Sequence, residues 1–401
     1  MLAYKYPMEA FHATKDCDID YILQSPSYAF MFKFIGYKCR LRNRLQIMPT
    51  LQFSKCVKCI NPVLDNGRIL EADYIEIYLN EVDLEVINEQ YKFEGHLCTE
   101  VECAYKDYLP RWFTDYVFNL FKEKCRLSLT DDDINYMVQK GKINGCFGMC
   151  VQKSIKEVIE EIYEDFTDDD GIEHKSGEYR QTPEQSMEEA YEKYLNKRGN
   201  ILLYQHGVWI TSYAFRNLHN LNKCFKSDGK LLYNDTDSGY GYNWDMEKIK
   251  EYNDNCLQLL KANGYDSVVV DGKTFTLGIA EHKPLKDEYT EFKVQGAKRY
   301  AGRNMKDGKI HITVAGVPKK GAECLKDDLN NFTKNFIFKG EDTGKLQHIY
   351  FTSTIYIDNE GNETADSIDL CPNDYKLDPT DKFDIEDIFN EEVEVITYED
   401  I

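Results

Sequence analysis

"LLYNDTDSGYG", residues 231–241, decides how this chain is read. An apolar run climbs to Tyr233, two aspartates bracket Thr236, and Ser238 and Gly239 follow at once. The pattern reads as the end of a buried strand followed by a hairpin. Like charges this close cost free energy unless a cation lies between them. In an extended strand, residues i and i+2 point to one side, so Asp235 and Asp237 are expected to face one point in space. Two hard oxygen ligands suit magnesium, or manganese, which keeps waters and takes further ligands from substrate phosphates. Read alone, Asp-Thr-Asp is better explained as a solvated turn. With Tyr233 before it and Ser238 after it, the pattern becomes Y-x-D-T-D-S, which is far more specific.

Two further stretches carry chemistry. In "KGKINGCFG", Lys140, Asn144 and Phe147 fall at i, i+4 and i+7, one face of a helix ended by Gly148. A lysine there can neutralise a triphosphate, and an aromatic a turn later can stack on a base. The third is "EFKVQGAKRYAG", where Lys298 and Tyr300 form K-x-Y.

Taken in order, the three resemble motif B (K-x-x-x-N-S-x-Y-G), motif C and the K-x-Y motif of family B DNA polymerases. The likeness is strongest to the protein-primed members of phages and linear plasmids, and it extends over most of the chain. Two departures lie in motif B, where Gly145 replaces serine and Phe147 replaces tyrosine. Phenylalanine keeps the stacking face and loses a hydroxyl. "LGIAE" (277–281), Phe292-Lys293 and "HGVWITSYAFRNL" (206–218) also look like segments of that group.

The resemblance implies an α+β polymerase right hand: a palm with an antiparallel sheet, helical fingers and a small thumb, with terminal-protein-region insertions. Its divisions would be residues 1–112 for the remainder of the palm and the first insertion, and 113–150 for fingers with motif B. An acidic second insertion would cover 151–199, palm with motif C and K-x-Y 200–301, and thumb with acidic tail 302–401. Asp237 would be the main metal ligand and Asp235 its neighbour. Lys140, Asn144 and Phe147 would meet the incoming deoxynucleoside triphosphate, and Lys298, Tyr300, Tyr233 and Ser238 the primer or DNA. The cofactor would be magnesium or manganese. Implied partners are primer-template DNA, a terminal protein, and a second chain carrying what is missing. Motif A, D-x-x-S-x-Y-P, is not found, and "MLAYKYPMEAF" resembles the segment just downstream of motif A in that group. The chain is therefore expected to be N-terminally truncated, lacking the motif A carboxylate and the exonuclease domain, with an exposed sheet edge and a weakly held start. A catalytically dead DNA- or terminal-protein-binding module derived from such a polymerase is the alternative.

Composition fits this reading without requiring it. The chain has 401 residues, enough for several packed subdomains, with 42% hydrophobic and 30% charged residues. The net charge of −21 opposes nucleic-acid binding at face value. The distribution matters more, because acid concentrates at 160–174, 184–194 and 378–400 while base concentrates at 38–44 and 293–320. Thirteen scattered cysteines and the lack of a signal peptide suggest reduced thiols in a cytosol, and the resemblance implies that of a host cell. Cys56 and Cys59 form one CxxC, open to a zinc or a strand-and-turn reading. No apolar run approaches the roughly 18 residues that span a bilayer.

Along the chain, residues 1 to about 110 read as β, with a hairpin turn at Asn66-Gly67. A helical hairpin is expected over 113–147, its second helix capped by Thr130. The acidic stretch 157–197 reads as a loop with helix, 245–263 as a helix, and the tail as loosely attached.

Overall fold

A computed structural model describes residues 1–15, 19–151, 157–167, 173–177, 179–183, 186, 189, 203–343, 347–350, 356–357, 363–364, 367–370 and 373–377. The architecture is mixed α/β with antiparallel sheets. The expected acidic tail lies outside the described residues.

The largest sheet is built by strands β1 (Lys5–Pro7), β2 (His12–Ala13), β3 (Tyr28–Leu41), β4 (Cys56–Ile60), β5 (Val63–Asp65), β6 (Arg68–Asn80), β7 (Tyr91–Lys92) and β8 (Gly95–Tyr108). Its spine runs β1-β8-β3-β6-β4, all antiparallel. Period-two alternation explains why "YAFMFKF" belongs here: Phe30, Phe32 and Phe34 are buried on one face, with Lys33 and Ile35 on the other. Each such phenylalanine contributes roughly 1.5–3 kcal/mol by burial. The β5–β6 turn is the expected Asn66-Gly67, both with positive φ. These angles match the strand twist that a tight hairpin needs.

Two expectations for this region change. Residues 81–90 continue not as strand but as helix α2 (Glu81–Gln90), following α1 (Ile19–Gln24). Asn80 caps α2 by accepting from the amides of Val82 and Asp83, and Glu81 and Asp83 complement the first-turn dipole. The first residues are also firmly packed: Leu2 and Tyr6 are buried, and Tyr6 meets the ring of Tyr213 edge-on.

Helices α3 (Arg111–Leu127) and α4 (Asp133–Gly148) form the expected helical hairpin. The cap of α4 is Asp132 rather than Thr130, because its carboxylate accepts from the Asn135 amide while Thr130 serves the preceding turn. Beyond them, β9 (Glu157–Glu161) pairs with β12 (Tyr179–Pro183), and β10 (Phe166–Thr167) with β11 (Glu173–His174). The acidic stretch thus adds two short strand pairs to the expected loop with helix, while Glu189 is helical; backbone pairing overrides a weak local helical bias in the paired segments.

Helix α5 (Tyr204–Asn222) anchors the middle. Fully buried Trp209 donates from its indole nitrogen to Glu81 at 3.0 Å, and Lys106 reaches the same carboxylate at 3.1 Å. One carboxylate thereby ties α5, α2 and β8 together. Phe113, Phe118, Phe121, Tyr213 and Leu260 complete the core between the sheet end and the helices. Helix α6 (Met246–Ala262) matches its expected span closely.

Candidate functional site

The aspartates sit at the tip of a hairpin of strands β13 (Phe225–Asp235) and β14 (Ser238–Trp244). At its base Phe225 stacks on Trp244 with centroids 3.8 Å apart. Gly241 is required there, since a Cβ would lie 2.5 Å from the Lys230 carbonyl and 2.6 Å from the Phe225 ring. At the tip Asp235 pairs with Ser238, leaving Thr236 and Asp237 as the turn. Thr236 has φ +57°, a left-handed conformation that β-branched residues rarely adopt and that stores strain. The turn is pinned by the Asp237 amide donating to the Asp235 carbonyl at 2.6 Å, and by the Ser238 hydroxyl donating to the same carbonyl at 3.1 Å.

This geometry corrects two expectations. Strand β13 is not a buried strand; of its residues only Phe225 and Gly229 are buried. Strand alternation does not orient the two carboxylates either, because Asp237 lies in the turn, exposed, while the Asp235 side chain is only 16% exposed.

Further strands β15 (Val268–Val270) and β16 (Lys273–Phe275) lead to a sheet of β17 (Tyr289–Gly296), β18 (Arg299–Asn304) and β19 (Ile310–Val314). The β17–β18 tip holds Ala297 and Lys298, the latter with φ +53°. The two tips meet. The Lys298 amide donates to the Tyr233 hydroxyl at 2.7 Å, and the Lys298 ammonium pairs with the Asp235 carboxylate. That carboxylate holds the Lys298 ammonium above its usual pKa. One turn of the zigzag further, the hydroxyls of Tyr300 and Tyr240 share a hydrogen bond at 3.0 Å. Tyr240 also stacks on Phe292, and Tyr233 packs on Tyr300, each with centroids 5.1 Å apart. Burial in this aromatic cluster pushes the Tyr233 and Tyr240 phenols up, so both keep their protons at physiological pH. A cavity of about 390 Å³ opens beside it, walled by Tyr240, Tyr289, Tyr300, His311 and Lys319 among others.

The structure therefore brings together Tyr233, Asp235, Ser238, Lys298 and Tyr300, with Asp237 adjacent in the turn. Lys140, Asn144 and Phe147 occupy one face of α4 as expected, the first two exposed and the third half-buried. Among the described residues, no hydrogen bond or ion pair joins them to the Asp235–Lys298 cluster. Nor do the described residues contain any group of three His, Cys, Asp or Glu side chains placed to hold a metal. A pair of carboxylates still fits magnesium or manganese, which can be held by one or two carboxylates with substrate phosphates filling the shell. Cys56 and Cys59 adjoin one another on β4, where the neighbouring Cys59 thiol lowers the Cys56 pKa, but among the described residues no further ligand makes a zinc set. No helix among the described residues is long and apolar enough to cross a membrane.

Sequence reasoning missed Tyr240 and Gln46, and it reached Phe292 only through the resemblance, without its stacking on Tyr240. Tyr240 had a signal, since it follows the turn on the strand that returns from Asp235. Gln46 had none, because its contacts lie some 180 residues away along the chain.

No protein-family model matches the sequence, and no curated protein matches it. Solved structures do resemble the fold. Phi29 DNA polymerase complexed with single-stranded DNA aligns with TM-score 0.54 at 16% identity, over 94% of this chain and 55% of that one. Phi29 DNA polymerase complexed with primer-template DNA and incoming nucleotide substrates gives 0.52 at 15% identity, over 93% and 55%. At such identities the likeness is one of fold alone. The chain spans just over half the length of the polymerases it matches.

Proposed function

We propose that this chain is a DNA polymerase module of the protein-primed family B kind, adding deoxynucleotides to a primer. The observation that carries the reading is the contact between the Asp235 tip and the Lys298 tip, 63 residues apart in sequence. A structural turn has no need of two strained tips, one carboxylate-bearing and one cationic, joined through a tyrosine hydroxyl. A site that must hold a phosphate chain beside a cation does.

In this reading Asp237 and Asp235 hold magnesium or manganese, which would lower the pKa of the attacking primer hydroxyl and neutralise charge on the α-phosphate. The protein's own groups do the rest. Tyr233 fixes the Lys298 backbone, so the ammonium is presented beside the carboxylates. Lys298 then exchanges its partner from Asp235 to a primer phosphate, keeping the cluster near neutral in both states. Tyr300, held through Tyr240, backs the primer end. Lys140 and Asn144 on the exposed face of α4 would meet the triphosphate and Phe147 the nascent pair. The chain would work in a host cytoplasm with a terminal protein as primer, and the motif A carboxylate and exonuclease would come from polypeptide outside these 401 residues, on the same chain or on a second one.

The second reading, a DNA-binding module without chemistry, is favoured by one observation: among the described residues, no third carboxylate joins the pair. Primer extension by the purified chain separates them. It is run with magnesium or manganese, alone and with an added motif A fragment, beside an Asp237→Ala control. Extension abolished in the control supports the polymerase. Retained duplex binding without extension in any mixture leaves the binding module.

A further inference from the structure

We propose that Gln46 is a positioning residue for the Asp235–Asp237 turn, an inference that rests on the metal-site reading above. The β13–β14 ladder is broken twice. Between the pairs Phe225–Trp244 and Lys230–Tyr242, five steps on β13 face two on β14; between Leu231–Gly241 and Tyr233–Tyr240, two steps face one. Such irregularities leave backbone groups without ladder partners; Lys226 and Ser227 are exposed, but Gly229 is buried, and a buried carbonyl without a partner is costly. The segment that joins β3 to β4 supplies those partners. The Gln46 side-chain amide donates to the carbonyls of Lys226 at 2.8 Å and Gly229 at 2.9 Å, with Ser227 at 3.4 Å. The Leu231 amide, at the second break, donates to the Leu45 carbonyl at 2.8 Å. Nearer the tip, the Asn234 side chain donates to the Met48 sulfur at 3.3 Å.

The orientation of Gln46 is itself fixed. Its oxygen accepts from the Asn43 side chain at 3.2 Å, so its nitrogen must face the hairpin. Asn43 holds the loop by accepting from the amides of Leu45 at 2.9 Å and Ile47 at 3.1 Å. Residues 43–48 thus act as a clasp from the large sheet onto the aspartate hairpin. They meet it where its own pairing fails. Removing the donor frees the twisted base of the hairpin, and the carboxylates at its tip lose their fixed distance from Lys298.

The test compares Gln46→Met, which keeps the length and loses the donor, with Gln46→Lys, which keeps a donor. Two readouts are taken on the full chain: amide hydrogen exchange, and manganese binding followed by the electron paramagnetic resonance of the free ion. In Gln46→Met, exchange over 231–241 should quicken and manganese affinity fall by about tenfold, while Gln46→Lys stays within about twofold of the parent, the range expected when support behind a metal ligand is lost or kept. Exchange in β3 and β6 should not change. Parent-like exchange and affinity in Gln46→Met overturn the proposal, and so does loosening spread equally over β3 and β6. If the parent chain binds no manganese yet Gln46→Met still loosens 231–241 selectively, the positioning role stands and the metal-site reading falls.

Discussion

The large sheet and the two facing hairpins are both antiparallel β structure, and they spend their residues differently. In the sheet, β3, β6 and β8 run thirteen or fourteen residues with Phe32, Phe34, Ile69 and Ile75 fully buried. In the hairpins, the ladder breaks twice, both tips hold a non-glycine residue at positive φ, and Asp237 and Thr236 are exposed. Regular pairing with an alternating apolar face maximises burial and tolerates little change. Strained tips and broken ladders place particular groups at particular points and contribute less to stability. Mutational damage should divide the same way, falling on stability in the sheet and on the proposed chemistry in the hairpins.

The sharpest way to break that contrast is to remove the carboxylates. Asp237→Ala and Asp235→Ala should lower metal-dependent primer extension by at least the roughly 10–100-fold that loss of a ligand's support alone costs, with the urea midpoint unchanged. A falling midpoint would make the tip structural. The reverse experiment is Phe34→Ala, which should destabilise the fold by about 3–5 kcal/mol in urea denaturation, while DNA affinity of the folded fraction is retained. Between these lies Gly241→Ala, because its Cβ meets the Lys230 carbonyl and the Phe225 ring. It should cost about 1–3 kcal/mol and also disturb extension, since the displaced strand leads to the tip.

Lys298→Met tests the tip-to-tip contact alone. Its ion pair is largely exposed on the lysine side, and such pairs contribute about 0–1 kcal/mol, so stability should hold. Duplex affinity should fall, with the salt slope reduced by about one, as expected for one lost phosphate contact. A gain in affinity would mean that Asp235 needs no cation and Lys298 no phosphate.

The smallest effect is one of pH. Burial pushes the Asp83 carboxyl on α2 up to about 6, above its unfolded value, with Ser212 pulling the other way. A raised carboxyl holds its proton longer when folded, so its contribution is present at low pH and is lost as pH rises from about 4 through 6. Asp83→Asn should therefore flatten the decline in urea midpoint across that window, leaving extension untouched.

Much of this was legible in the sequence because it is local. The Asn66-Gly67 turn follows from two φ values that few other residues accept. The helical hairpin follows from apolar spacing, and "DTDS" marks its own turn. Helix α2 was also written locally, in Asn80 with Glu81 and Asp83 after it, but the β-rich run before it masked the cap. Strands β9 and β12 were not legible, since each exists only by pairing with the other across an acidic loop.

The sequence by itself determined the order of the candidate motifs, the face shared by Lys140, Asn144 and Phe147, and the alternation that builds the large sheet. Long-range packing alone brings Asp235 to Lys298, sets the Tyr233 hydroxyl on the Lys298 amide, and places Gln46 at the first break of the aspartate hairpin and Leu45 at the second. The physical reason is range. Local steric and hydrogen-bond preferences act within a few residues, whereas these contacts close loops of 63, 65 and some 180 residues. Loops of that length form only when the intervening chain has already packed, and no short pattern in the sequence records them.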